Sequence, residues 1–232
     1  MGALEAIVAI RRIGIVPAVR VPNADYARRA VAAIVEGSIS VVEIPVTVPD
    51  VYKIIPELKE RYAGKILIGA GTVIDAEAAE RSIDAGAQFI VSPCLNLDVI
   101  AYCKQRDVAI LPGALTPTEI VIAWKAGADC IKVFPVSAMG GVDYFKALRA
   151  PLPEVPLMPM GGVNIENAAR YIQAGALAVG VGSDLVDVTS LSQNCDDALI
   201  RKAITYVTRI QEARQDLSLQ PHHHDKQQET GL

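Results

Sequence analysis

From Ile15 onward the 232-residue chain repeats one unit eight times: a short run of β-branched and aliphatic residues, then a longer segment with helical periodicity. The expected strands are Ile15–Val21, Val41–Thr47, Ile66–Thr72, Phe89–Pro93, Val108–Pro112, Ala128–Pro135, Leu157–Met160 and Ala178–Ser183. An opening helix over residues 3–13 precedes them, with Leu4, Ile7, Val8 and Ile10 expected on its apolar side. Helix signals fill the intervals. Asn23 or Asp25, Asp50, Asp75 and Asn96 stand as N-caps, Gly37, Gly64, Gly86 and Gly175 as stops, and Thr116-Pro117-Thr118-Glu119 as a capping box with proline at the first helical position. Further helices are expected over Val142–Arg149, from Asn164 to Gln173 and from Asp196 to Arg214. Eight strands, each followed by a helix across short connections, specify an α/β fold of the (β/α)8 TIM-barrel type with an N-terminal helix.

The competing architecture is a doubly wound open sheet. Its dinucleotide fingerprint fails at Gly69-Ala70-Gly71-Thr72-Val73-Ile74 and at Gly180-Val181-Gly182-Ser183-Asp184-Leu185, each of which lacks the third small residue. Residues 1–214 are expected to form one barrel domain. Residues 215–232 lose periodicity and are expected to be a polar, disordered tail. Its His222-His223-His224 run is set aside as incidental to the chemistry.

Charge and composition narrow the function. A net charge of −4 with no dense Lys/Arg stripe argues against a nucleic-acid partner. No apolar run approaches the ~18 residues that a membrane span requires, and the patch Ala6–Ile10 is too short for a signal peptide. The cysteines Cys94, Cys103, Cys130 and Cys195 have neither pairing nor metal-ligand spacing, which points to reduced thiols and a cytoplasmic location.

Against that background one residue stands out. Lys132 lies within the apolar run Ala128-Asp129-Cys130-Ile131-Lys132-Val133-Phe134-Pro135. Strand alternation puts Cys130, Lys132 and Phe134 on one face and Ile131 and Val133 on the other. Burying an ammonium is costly, so Lys132 is either a stem-packed lysine that snorkels to solvent or a residue placed for chemistry. Glu43 is a second charge inside an apolar strand, sharing a face with Pro45 and Thr47. The two could form a buried ion pair, but such pairs are weak sources of stability. The alternative is a catalytic couple. A desolvated lysine has a lowered pKa, and its neutral amine can attack a ketone to form a Schiff base, with the carboxylate moving protons. Phe134 would help to keep that pocket dry.

In such barrels the chemistry sits at the C-terminal strand ends. Arg20, Thr72 and Pro93 lie at the ends of strands one, three and four. Gly161-Gly162 and Gly182-Ser183 follow strands seven and eight, where barrels commonly bind phosphate through backbone N–H groups.

The ordered series Glu43-Ile44-Pro45-Val46-Thr47-Val48-Pro49, Ile68-Gly69-Ala70-Gly71-Thr72-Val73, Ile90-Val91-Ser92-Pro93, Leu111-Pro112-Gly113, Ile131-Lys132-Val133-Phe134-Pro135 and Gly161-Gly162-Val163 resembles the bacterial 2-keto-3-deoxy-6-phosphogluconate / 4-hydroxy-2-oxoglutarate aldolases. The resemblance covers residues 5–213. It implies a class I aldolase that cleaves a 2-keto-3-deoxy-6-phospho sugar acid to pyruvate and glyceraldehyde 3-phosphate. By it Lys132 is the Schiff-base lysine and Glu43 the general acid/base. Thr72 and Pro93 line the keto-acid end, Arg20 and Thr47 contribute to substrate binding, and Gly161, Gly162, Gly182 and Ser183 hold the phosphate. It further implies a homotrimer, no metal and no cofactor.

Two departures are visible. Thr47 stands where many members have a substrate-gripping arginine, and Met160 where many have threonine. Glu43-Ile44-Pro45 and Phe134-Pro135-Val136-Ser137-Ala138-Met139-Gly140 look closer to the branch acting on the galactonate epimer. Two other readings stay open at this level: a metal-independent phosphosugar isomerase or epimerase with Glu43 as base, and a catalytically retired phosphate-binding barrel.

Overall fold

In the computed structural model residues 2–219 are described, and their strands run parallel around a closed ring. The strands are β1 (Ile15–Pro17), β2 (Val41–Pro45), β3 (Leu67–Gly71), β4 (Phe89–Val91), β5 (Ala109–Leu111), β6 (Gly113–Ala114), β7 (Ile131–Val133), β8 (Leu157–Pro159) and β9 (Val179–Val181). Strands β5 and β6 are two halves of the fifth stave, interrupted at Pro112, so nine strands make eight staves. Ladders join β1 to β9, β2 through β5, and β6 through β8. Hydrogen bonds outside these ladders close the remaining seams, among them Val19 N to Glu43 O (2.9 Å), Asp129 N to Ile110 O (3.1 Å) and Leu177 N to Leu157 O (2.9 Å).

The helices are α1 (Ala3–Ile13), α2 (Ala24–Glu36), α3 (Val51–Arg61), α4 (Ala76–Asp84), α5 (Leu97–Gln105), α6 (Pro117–Lys125), α7 (Val142–Arg149), α8 (Ala168–Gln173), the short α9 (Val188–Ser192) and α10 (Asp196–Leu219). Most of their starts follow the expected chemistry; Asp50 is an exception, with a left-handed backbone (φ 60°), no side-chain cap on α3, and a carboxylate that accepts from Lys53 Nζ (2.8 Å). Asn23, Asp75 and Asn96 each accept backbone N–H groups at a helix entry, and Thr116 with Glu119 closes the capping box.

Side chains sort by strand alternation. Ile15, Val42, Ile44, Ile68, Ile90, Ile110, Ile131 and Val133 point outward into the layer shared with the helices. Val16, Val41, Leu67, Phe89, Leu111, Cys130 and Met158 fill the barrel interior. Helix α1 plugs the floor through Ala3, Ala6 and Ile10, while Leu4 and Val8 are 77% and 57% exposed. This corrects the expected apolar side. The floor of a narrow barrel admits alanines and one isoleucine, so the small residues turn inward; Ile10 contributes about 1.5–3 kcal/mol there.

Several strands are shorter than expected, β2 ending at Pro45, β4 at Val91 and β7 spanning only Ile131–Val133, and three other boundaries differ. Strand β1 ends at Pro17 rather than Val21, although an isolated bridge from Ala18 to Glu43 prolongs its path. Helix α8 begins at Ala168, because Asn164 Oδ1 accepts from Glu166 N (3.0 Å) and Asn167 N (3.1 Å) and holds residues 164–167 in a turn. Helix α10 continues past Arg214 to Leu219, so the first residues of the expected tail are helical. The His222–His224 run lies outside the described residues.

Candidate active site

Strand interiors are built to exclude charge, yet β2 and β7 each deliver one charged side chain to the inside of the barrel. Glu43 and Lys132 are 3% and 5% exposed. Both line a cavity of about 380 Å³ at the C-terminal strand ends, together with Arg20, Thr72, Pro93, Phe134, Gly161, Gly162, Gly182 and Ser183. Ten of the eleven site residues expected from sequence thus meet in one place.

Thr47 is the exception. Strand β2 stops at Pro45, and a turn closed by Val48 N to Pro45 O (2.9 Å) follows. The alternation that would have put Thr47 beside Glu43 is therefore lost. Thr47 is exposed and borders a separate surface recess with Asp50, Lys53 and Arg81.

The buried pair is not an ion pair. Among the described residues Glu43 and Lys132 make no nitrogen–oxygen contact of 4.0 Å or less, and Glu43 Oε2 is buried with no hydrogen-bond partner. Burial pushes the Glu43 carboxyl above its ordinary value, opposed by the positive charges of Lys132 and Arg20. Burial pushes the Lys132 ammonium below its ordinary value; Arg20 adds to that effect, and Glu43 and Cys94 oppose it. Both groups are thereby biased toward their neutral forms, which suits a nucleophilic amine and a proton-carrying carboxyl.

Neighbouring strands leave room for this arrangement. A Cβ on Gly71 would stand 2.3 Å from Glu43 Oε2, and one on Gly113 would stand 2.2 Å from the Pro93 carbonyl. The Phe134 ring lies with its centroid 4.8 Å from Lys132 Nζ. Arg20 reaches the cavity from solvent and its Nη2 donates to Thr72 Oγ1 at 3.2 Å, while Thr72 holds a left-handed backbone (φ 59°).

The opposite wall is made of loops. Gly161 and Gly162 both have positive φ, 85° and 79°, a conformation that strains residues bearing a Cβ. A Cβ on Gly162 would stand 2.3 Å from Ser137 Oγ. Backbone bonds from Val136 N to Met160 O (2.9 Å) and Ser137 N to Gly161 O (3.1 Å) stitch this loop to the segment after Lys132. Asn167 Nδ2 donates to Gly162 O at 3.0 Å. On the next loop Leu185 N and Val186 N both donate to Gly182 O, and the short helix α9 starts at Val188 behind its Asp187 cap. The glycine-lined wall offers backbone amides and the Ser183 hydroxyl to an anion.

Two polar lining residues escape a reading by sequence: Asn164 and Asp184. Asn164 carried a signal as a helix opener and Asp184 none. Asp184 is held by Tyr206, whose hydroxyl donates to Oδ2 (2.5 Å), and by Lys202 Nζ (3.1 Å). Residues from α10, far along the chain, thus position the rim.

Comparison with known proteins adds a further line of evidence. The family model for KDPG and KHG aldolase matches residues 6–202. The 2-dehydro-3-deoxy-6-phosphogalactonate aldolase of Escherichia coli K12 is 40% identical over 162 residues, spanning 69% of this chain and 78% of that protein. The 2-dehydro-3-deoxy-phosphogluconate aldolase of Treponema pallidum is 32% identical over 184 residues, spanning 79% and 87%. Among solved structures, the KDPG aldolase of Legionella pneumophila, with pyruvate captured as a covalent carbinolamine intermediate, superposes with a TM-score of 0.80 at 25% identity, over 87% of this chain and 97% of that one.

Proposed function

Because the chain belongs to the KDPG and KHG aldolase family, we propose that Lys132 and Glu43 perform its class I chemistry in the cavity described above. The protein is a carbon–carbon lyase that cleaves a 2-keto-3-deoxy-6-phospho sugar acid to pyruvate and glyceraldehyde 3-phosphate. The observation that carries the residue assignment is the pair itself: two buried groups with no ion pair between them, biased toward neutrality, on the walls of one cavity.

The neutral Lys132 amine adds to the C2 carbonyl, giving a carbinolamine that loses water as a protonated imine. Glu43 donates the proton that leaves with this water, and the resulting carboxylate takes the proton of the C4 hydroxyl. The C3–C4 bond then breaks. Its electron pair moves into the imine to form an enamine, and glyceraldehyde 3-phosphate departs. Protonation at C3 and hydrolysis of the imine release pyruvate and restore the amine. Arg20 and Thr72 face the carboxylate end, and Gly161, Gly162, Gly182 and Ser183 receive the phosphate.

Borohydride reduction in the presence of pyruvate, followed by peptide mass mapping, tests this assignment. The expected result is a reduced adduct on Lys132. Folded protein without an adduct there would refute the Schiff-base role and leave Lys132 as a binding charge.

Three finer points belong to the same reading. The galactonate epimer is the preferred substrate, supported by the 40% identity to the E. coli galactonate enzyme and by the segments Glu43-Ile44-Pro45 and Phe134–Gly140; the ratio of kcat/KM for the two epimers measures it. The protein is a homotrimer, supported by exposed apolar Leu4 and Trp124 bordering one recess, and light scattering gives its mass in solution. A cytoplasmic location accords with four cysteines that form no disulfide.

A further inference from the structure

Another recess opens at the other end of the barrel, lined by the end of α1, the end of α7, the loop between α7 and β8, and α10. Its volume is about 550 Å³, and four arginines line it: Arg11, Arg12, Arg149 and Arg214. Among the described residues that line it, Glu154 is the sole carboxylate. None of the ion pairs within 4.0 Å among the described residues involves any of the four arginines.

Two of these guanidinium groups are held in place by neutral partners. Arg214 donates to the carbonyls of Arg12 (2.7 Å), Arg11 (2.5 Å) and Leu177 (3.3 Å). Arg149 donates to the carbonyls of Leu152 (3.2 Å), Val155 (2.7 Å) and Pro153 (2.8 Å). Each lies against a glycine of positive φ, Gly14 for Arg214 and Gly175 for Arg149, where a Cβ would stand 2.6 Å and 3.2 Å from guanidinium nitrogens. A guanidinium has five N–H donors, so each keeps two after these three bonds. Capping the end of α1 and stapling the loop account for these bonds. They do not neutralise the charge, and they do not account for Arg11 and Arg12, whose exposed side chains converge on the same recess. Burial, with Arg11 nearby, pushes the Arg214 guanidinium below its ordinary value, as expected where cations crowd without a counter-ion.

We propose that this recess binds a compact, phosphate-bearing polyanion, separate from the substrate. The fixed guanidinium forks of Arg149 and Arg214 supply geometry suited to phosphate oxygens. Arg11 and Arg12 close over the anion from solvent. The recess lies at the N-terminal strand ends, so occupancy leaves the catalytic cavity free.

Calorimetric titration of the full chain with inorganic pyrophosphate tests the proposal on wild type, the double variant Arg11→Gln/Arg12→Gln, and Glu154→Gln. Pyrophosphate inhibition of aldol cleavage, measured in parallel, gives its affinity for the catalytic cavity. The expected result is a second binding event in wild type, weakened on the order of 10-fold or more in the double variant and tightened in Glu154→Gln, with kcat/KM unchanged in both. A single event whose Kd equals the inhibition constant, or a second event indifferent to the double substitution, would overturn the proposal. Should the double variant fail to fold, Glu154→Gln alone decides: binding that does not tighten sinks the idea.

Discussion

Gly71→Ala is the substitution on which the reading of Glu43 can be tested most sharply. Gly71 sits on β3 directly beside β2, paired in register with Pro45, and its backbone is not in the left-handed region. Alanine is therefore permitted by the backbone and removes a little unfolded-state entropy, worth about 0.4–1 kcal/mol. The obstacle is Glu43. The new methyl would stand 2.3 Å from Oε2 and 2.7 Å from Cδ, where ordinary contacts begin at 3.4 Å. The carboxylate must retreat by roughly 1 Å, and a misplacement of that size costs on the order of 10²-fold in rate. Crowding a packed interior costs about 1–3 kcal/mol, so the net loss of stability should stay within that range. Initial rates of pyruvate release, coupled to NADH oxidation by lactate dehydrogenase, read the effect on kcat, and thermal unfolding confirms that the fold persists. A folded variant with kcat within twofold of wild type would mean that Glu43 does not act from the position in which β3 holds it. The argument for its catalytic role would then fail.

Glu43→Gln should slow turnover by on the order of 10²–10⁴-fold through loss of proton transfer; an unchanged rate would remove Glu43 from the mechanism. The same variant carries a stability signature. Glu43 binds its proton more tightly folded than unfolded, so wild type loses stability as pH rises above the ordinary carboxylate value of 4.5, and glutamine does not. The difference in Tm should therefore be near zero below that pH and grow in favour of Glu43→Gln above it; the opposite slope would contradict the raised pKa. Gly182→Ala adds a methyl that meets nothing within 4 Å, so it should leave Tm unchanged while raising KM for a phosphorylated substrate, with little effect on an unphosphorylated keto acid. Arg20→Gln should raise KM, whereas Thr47→Val, outside the cavity, should leave steady-state constants within twofold of wild type; a larger effect would return Thr47 to the site.

Much of this protein is legible in order along the chain because its information is local. Strand runs and helix caps recur at short range, and alternation alone separated Lys132 and Cys130 from Ile131 and Val133. Two charges in strands that otherwise reject charge marked the cavity, and glycine pairs marked the loops of its opposite wall. Thr47 was misplaced for the same reason that the others were found: alternation holds only while the strand lasts, and β2 ends two residues earlier. Likewise the apolar periodicity of α1 did not reveal that a narrow barrel floor takes Ala3 and Ala6 and leaves Leu4 outside.

By itself, then, the sequence determined the order of elements, the inward face of each strand and which two charged side chains enter the barrel. The tertiary structure decided what depends on distance between remote segments. It holds Glu43 and Lys132 within one cavity without an ion pair between them, and the missing side chain of Gly71 leaves the space that the Glu43 carboxyl occupies. It brings Asp184 to the rim through Tyr206 and Lys202, and it gathers Arg11, Arg12, Arg149 and Arg214 around one recess from three helices. Local propensity acts between neighbours along the chain. Steric room, desolvation and charge crowding arise only when distant segments close on one another.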